Sequence, residues 1–72
     1  MSYAKLRGRI REVFGTQDAF ALAIGISSVT LSQRLNGKTE WKTNEIAKSC
    51  EVLGISLEDV ALYFFDPEIK FS

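Results

Sequence analysis

The chain has 72 residues, with nine basic and nine acidic side chains, one cysteine and no histidine. This length accommodates one small domain. A single cysteine excludes an internal disulfide, and the lack of histidine argues against a zinc site. We therefore expect no metal and no cofactor, and the hydrophobic residues, 46% of the chain, must stabilise the fold by packing.

The zero net charge conceals an uneven distribution along the chain. Residues 1–48 contain eight basic and four acidic side chains, whereas residues 49–72 contain one basic and five acidic ones. A DNA-binding domain usually has a basic excess because phosphate neutralisation drives its affinity. A basic DNA-facing side is compatible with this sequence, but it would be weaker than usual.

The first predicted element is an amphipathic helix over residues 3–14. Its apolar residues recur at steps of three and four: Tyr3, Leu6, Ile10, Val13 and Phe14. Gly8 lowers the intrinsic helicity by about 1 kcal/mol relative to alanine, so packing must hold this helix. Its basic residues could meet phosphate or an acidic partner, or could simply be solvated.

The next stretch, Thr16 to Lys38, predicts two short helices joined by a tight turn. Thr16 is a suitable N-cap for a helix over 17–24, and Gly25 can take the left-handed conformation of the turn. Ser27 then caps a helix over 28–36. Six apolar residues fall where crossed helices would share a core: Phe20, Ala21, Ile24, Ile26, Leu31 and Leu35. This is the pattern of a helix-turn-helix, although a plain helical hairpin without a nucleic-acid role shows similar patterns.

A loop containing Trp41 follows, and two interpretations of this side chain stay open. It is either a half-buried lid on the core or an exposed anchor for an interface. Thr43 is expected to cap a helix over 43–53. The inner face of that helix is predicted to hold Ile46, Ala47, Cys50 and Leu53.

Ser56 begins a fifth predicted helix over 57–64, which the Asp66-Pro67 pair ends; a tail over 66–72 follows. This C-terminal part has more apolar residues than one small core can accept. They either pack back onto the first helix or form an exposed patch for a dimer or another protein contact. The residues in question are Leu62, Tyr63, Phe65, Ile69 and Phe71.

Each helix after the first is preceded by serine or threonine, and the first four end at glycine. No alternating strand pattern competes with them, so the sequence predicts one all-α domain over 1–72, a compact five-helix bundle. No Ser-His-Asp or Cys-His set exists and no glycine loop for phosphate is present. We therefore expect no catalytic residues and no enzyme. No run of 18 apolar residues and no signal-peptide core occur, and the lone cysteine fits a reducing cytoplasm.

The order of helices and the segment GISSVTLSQRLNGK resemble the Cro/CI-type helix-turn-helix regulators of temperate phages, over about residues 4–64. The segments LRGRI, FGTQDAFA and YFF are similar to a narrower group, small antirepressor-type phage proteins of Gram-positive hosts encoded in the lysogeny switch region. The resemblance implies a lambda-repressor-like domain, a role in a phage genetic switch and the cytoplasm of a bacterial host. It also implies that residues on and beside the two motif helices contact DNA.

By this resemblance, Gln17 would hold a phosphate at the start of the second helix. Base reading would fall to Ser28, Val29 and Gln33, and further phosphate contacts to Ser27, Asn36 and Lys38. Val29 can contact only a thymine methyl or another apolar group.

Two functions follow from these features. The first is a Cro-like repressor that dimerises on operator DNA, where Arg34, Lys38 and Lys42 also hold phosphates and Ser32 helps to read bases. The second, favoured by the neutral charge and by the resemblance, is an antirepressor that covers the basic DNA-binding face of a CI-type repressor, and it could still assist DNA binding as a complex with that repressor. Its contact residues would be Asp18, Val29, Glu40, Trp41 and Glu45.

Overall fold

The computed structural model describes residues 3–65, and these residues form helices without any strand. Five α-helices and one 3-10 turn follow each other: α1 (Ala4–Phe14), α2 (Gln17–Ile24), α3 (Ser28–Leu35), α4 (Thr43–Leu53), the turn Leu57–Asp59 and α5 (Val60–Phe64). The predicted all-α, five-helix fold is confirmed. None of these helices is both long and apolar enough to cross a bilayer. Ile69 and Phe71, and the tail predicted over 66–72, lie outside the described residues.

The ends of α2 and α3 follow from their capping residues. The Thr16 hydroxyl accepts a hydrogen bond from the Ala19 amide at 3.1 Å, and Ser27 accepts one from the Thr30 amide at 3.0 Å. Each bond satisfies an amide that has no acceptor within its own helix. Gly25, with φ 78°, supplies the left-handed turn between the two helices.

The helix predicted over 43–53 has these bounds in the structure, but the capping interactions predicted for Thr43 and Ser56 were wrong. Thr43 belongs to the first turn of α4, and Lys42 precedes the helix instead. There the Glu45 carboxylate accepts a hydrogen bond from the Lys42 amide at 3.0 Å, so an acid inside the helix provides the cap. The predicted helix over 57–64 begins as a 3-10 turn, and Ser56 makes no side-chain cap bond.

The core lies where α1, α2, α4 and α5 meet, and α3 packs against α2. Its fully buried side chains are Leu6, Ile10, Phe20, Ala21, Leu31, Leu35 and Leu53. Two arginines of α1 also connect helices, since Arg7 Nη2 donates to the Leu35 carbonyl and Arg9 Nε to the Leu53 carbonyl, both at 2.9 Å. These bonds satisfy carbonyls at the C-terminal ends of α3 and α4.

The predicted inner face of α4 is confirmed for Ile46, Cys50 and Leu53, which lie in or against the core, but the rest of this face differs from the prediction. Glu45, Ser49 and Leu53 are buried, whereas Ala47 is exposed. Glu45 is buried beside a charged partner, Arg34, and the buried Ser49 hydroxyl donates to the Glu45 backbone carbonyl at 2.7 Å. Cys50 is half-buried, and this burial raises the pKa of its thiol, which therefore stays neutral.

Trp41 is half-buried at the edge of the core, as the lid interpretation requires. Its ring packs edge-on against Tyr3 and Phe64, with centroid distances of 6.4 and 5.1 Å. The Nε1 atom is buried and has no hydrogen-bond acceptor among residues 3–65. An interface contact through this side chain is therefore limited to its exposed part.

The apolar residues of α5 divide between the two predicted environments. Tyr63 is half-buried, and Lys5 Nζ lies 5.6 Å from the centroid of its ring, so this residue packs back onto α1. Leu62 and Phe65 remain 43% and 60% exposed.

Candidate functional site

The polar residues predicted to contact DNA lie mostly on the exposed side of α2 and α3. Three of them have side chains that form no hydrogen bond with another described residue: Gln17, Gln33 and Lys38. Val29 is also exposed and lies one helical turn from Gln33, so both belong to the same side of α3.

Asp18 and Ser28 are the residues that define the electrostatics at the start of α3. The Ser28 hydroxyl donates to Asp18 Oδ1 at 2.7 Å, which connects the first turns of α2 and α3. Both residues are exposed, so the carboxylate faces solvent at the position where the resemblance implies base contacts. A phosphate approaching this point would meet negative charge, whereas a cationic side chain would be attracted.

Two apolar side chains accompany this acid. Val29 is 68% exposed, and Leu22 on α2 is 82% exposed. Leu22 lies one helical turn beyond Asp18 on the same side of α2. We refer to Asp18, Leu22, Ser28 and Val29 as the α2–α3 patch.

Leu22 was absent from the residues predicted from the sequence. Core residues of α2 are Phe20, Ala21 and Ile24, and position 22 is turned by about 100° from position 21. An apolar residue outside the buried stripe of a short helix was the available signal. Such residues are common on surfaces, so the signal becomes informative only because Leu22 lies one helical turn from Asp18, whose carboxylate contacts α3.

Several residues that were predicted to contact DNA already form hydrogen bonds with other residues of the protein. Asn36 Oδ1 accepts a hydrogen bond from Arg7 Nη2 at 3.1 Å, and its amide nitrogen donates to the Ser32 hydroxyl at 3.2 Å. The Ser27 hydroxyl caps α3 and donates to the Thr30 hydroxyl at 2.9 Å. These side chains lie on the surface, but a phosphate would compete with existing bonds.

Arg34 and Glu45 are not surface residues, which corrects both assignments. They are 8% and 6% exposed and form two parallel bonds, Nε to Oε1 at 2.8 Å and Nη2 to Oε2 at 3.0 Å. Arg34 also donates to the Thr39 hydroxyl. It therefore cannot hold a DNA phosphate, and Glu45 cannot contact a repressor, without opening the junction between α3 and α4.

The bond between the two side chains determines their protonation. It raises the pKa of Arg34 and lowers the pKa of Glu45, and in both cases it outweighs the opposing effect of burial. The pair is therefore ionised at neutral pH.

Among the residues predicted to contact a repressor, Asp18, Val29 and Glu40 are exposed, and Trp41 is half-buried. The described residues contain no group of three histidine, cysteine, aspartate or glutamate side chains placed to hold a metal ion. What the site offers is a surface with an acid and two apolar side chains. This arrangement suits contact with a protein.

Comparison with known proteins identifies a family and a similar solved structure. Residues 1–67 match a family described as "Protein of unknown function (DUF739)", and the chain belongs to this family. Its fold is similar to the solution structure of the modulator of repression (MOR) of the temperate bacteriophage TP901-1 from Lactococcus lactis. The two are 42% identical, the match covers 96% of this chain and 93% of that one, and the TM-score is 0.80. No curated protein matches the chain. The close match to a phage modulator of repression supports a phage regulatory role.

Proposed function

We propose that this protein is an antirepressor of a phage genetic switch, a Cro/CI-type helix-turn-helix domain that binds a CI-type repressor. The observation that carries the proposal is the exposed Val29 beside the Asp18–Ser28 hydrogen bond, at the N-terminal end of α3. Its place of action is the cytoplasm of the bacterial host, where the repressor meets the phage operators.

The chemistry of the α2–α3 patch fits the proposed partner. A repressor that binds DNA presents lysine and arginine side chains to the phosphates. Asp18, with Glu40 on the loop after α3, offers carboxylates to such cations. Leu22 and Val29 offer apolar area that gains free energy when it is removed from water. Occupation of the repressor's DNA-binding face by this patch would prevent operator binding.

Direct DNA binding has less support, because much of the basic charge is engaged within the fold. Arg34 is paired with Glu45, Arg9 contacts the end of α4 and Glu12, and Arg7 contacts the end of α3. The α2–α3 patch adds a carboxylate where a DNA reader needs a donor or a cation. The competing function is that of a Cro-like repressor, and the following experiment distinguishes the two.

The experiment titrates the full chain separately with the CI-type repressor of the same phage and with the operator DNA of the switch region. We expect a defined complex with the repressor, release of operator from that repressor, and weak binding to DNA alone. Tight binding to operator DNA without the repressor, falling steeply with salt, would contradict the proposal and establish the Cro-like function.

Surface variants test the contact with matched controls. Val29→Asp should weaken the repressor complex at least tenfold, because it places a charge in a desolvated apolar contact. Leu57→Asp makes the same change at an apolar side chain that is 90% exposed outside the α2–α3 patch, and should leave the affinity within about twofold. Equal losses in both variants would show that the patch is not the interface.

A further inference from the structure

A groove separates α1 from the beginning of α2. It has a volume of about 570 Å³, and it is lined by Arg7, Gly8, Ile10 and Arg11 of α1 and by residues 15–18. Val29 does not line it, so most of the groove is distinct from the α2–α3 patch, and only Asp18 belongs to both.

Gly8 forms part of this groove and has no evident role in the packing of the chain itself. A glycine in the middle of a helix weakens it relative to alanine. A Cβ atom built at Gly8 would meet no atom within 4 Å, so no neighbouring element requires its absence. The missing side chain instead leaves the α1 backbone open to whatever enters the groove.

Two arginines of α1 also line the groove, Arg7 and Arg11. Arg7 and Arg11 are one helical turn apart, so they project from the same side of α1. The Arg7 guanidinium is oriented by its hydrogen bonds to Leu35 and Asn36. The Arg11 side chain is exposed and forms no hydrogen bond or ion pair with another residue among 3–65. Guanidinium groups bind carboxylates through two parallel hydrogen bonds.

We propose that the groove between α1 and α2 is a docking site for an acidic segment of a protein partner. One carboxylate would bind Arg11, and the segment's backbone would cross the groove at Gly8. Asp18, at the other wall, could then accept hydrogen bonds from backbone amides of the segment. A polypeptide has both acceptors and donors for this site, whereas a DNA backbone offers its phosphates as acceptors only and would be repelled by Asp18.

This site goes beyond the proposed function, because it does not require the partner to be a repressor. The test follows backbone amide shifts of the full chain by NMR during titration with an acetylated, amidated six-residue peptide that alternates glutamate and alanine. We expect saturable shifts at Gly8, Arg11 and Gln17. The same peptide with glutamine in place of glutamate should bind at least tenfold more weakly.

Variants locate the binding within the groove. Arg11→Glu and Gly8→Gln should each weaken peptide binding at least tenfold, the first by charge and the second by filling the groove. Lys48→Glu makes the same charge change on α4 and should reduce the affinity by less than threefold in 150 mM salt. Circular dichroism of each variant verifies that it is folded, and Arg11→Glu, at an exposed position, provides the test if Gly8→Gln does not fold.

Unchanged groove amides, or equal binding of the glutamine peptide, would overturn the proposal. Stronger shifts of the same amides by an eight-base-pair DNA duplex would also overturn it, by identifying a phosphate site. The repressor titration with Val29→Asp measures a different surface, so failure of the proposed function and failure of this inference are separable.

Discussion

The Glu45 side chain makes two contacts at the same time. Its carboxylate binds the Arg34 guanidinium and caps α4 through the Lys42 amide. Removing one member of a buried pair leaves the other charge without compensation, which typically costs about 3–5 kcal/mol. This pair therefore joins the end of α3 to the beginning of α4 even though both side chains are charged.

Replacing Glu45 by glutamine should lower the free energy of unfolding at pH 7 by about 3 kcal/mol, because it leaves the Arg34 charge buried and unpaired. Urea denaturation followed by Trp41 fluorescence measures the change. Glu58→Gln, at an exposed position, should change the free energy by less than about 0.5 kcal/mol. Equal effects of both variants would contradict the importance of the buried pair.

The same pair predicts how stability depends on pH. The Arg34 bond lowers the pKa of Glu45 in the folded protein below its unfolded value of about 4.3. Its stabilising contribution is therefore complete above that value and is lost as the pH falls through the folded-state pKa. Between pH 5 and pH 2 the wild type should lose more stability than Glu45→Gln. Urea denaturation measures the free energy of unfolding of both proteins across this range. Equal losses of stability in the two proteins would contradict the prediction.

At the scale of helices, α1 stabilises the ends of its neighbours through side chains. Arg9→Met keeps most of the apolar stem but removes the donor to the Leu53 carbonyl. We expect a loss of about 1–2 kcal/mol, measured by urea denaturation. Arg11→Met is the matched control on the same helix, and its effect should stay below about 0.5 kcal/mol because Arg11 is exposed. A similar loss of stability in both variants would mean that the effect comes from a change in the helicity of α1 and not from the lost hydrogen bond to Leu53.

Gly8 gives a second prediction for α1. Gly8→Ala should raise the free energy of unfolding by about 0.5–1 kcal/mol, because the new methyl group meets open space and the helix becomes intrinsically more stable. Gly54→Ala should have the opposite sign, since Gly54 has φ +67° and its Cβ would lie 3.4 Å from Arg9 Nη2. Thermal unfolding of both variants measures the difference, and a destabilised Gly8→Ala would contradict the open groove.

At the scale of the whole molecule, one small core stabilises all the helices. Phe20 is completely buried and packs against Phe14 with ring centroids 5.6 Å apart. Phe20→Ala should cost about 3–5 kcal/mol. A domain of this length has a total stability of only roughly 4–11 kcal/mol.

We therefore expect Phe20→Ala to lose much of its helical circular dichroism at 37 °C, or to unfold at markedly lower temperature. Leu22→Ala on the same helix should leave the melting temperature within a few degrees, because Leu22 is 82% exposed. Equal melting temperatures for the two variants would mean that α2 does not contribute to the core as described.

The local sequence determined most of the helical framework. Hydrophobic spacing and the signals at Thr16, Gly25 and Ser27 define α2 and α3 because capping depends on neighbours within three or four residues. The same reasoning failed at α4, where Glu45 rather than Thr43 provides the cap. It also failed for α5, whose 3-10 beginning has no distinct sequence signal.

The tertiary structure decided which polar residues are available to a partner. The sequence predicts Arg34 and Glu45 to be surface charges, because charged residues are rarely buried. In the folded chain they are each other's partners, on two different helices and eleven positions apart. The proximity of Asp18 to Ser28, and the groove at Gly8, also depend on how separate helices pack. Local spacing sets the helices, but burial and contact are properties of the packed molecule, so the surface that a partner meets had to be observed.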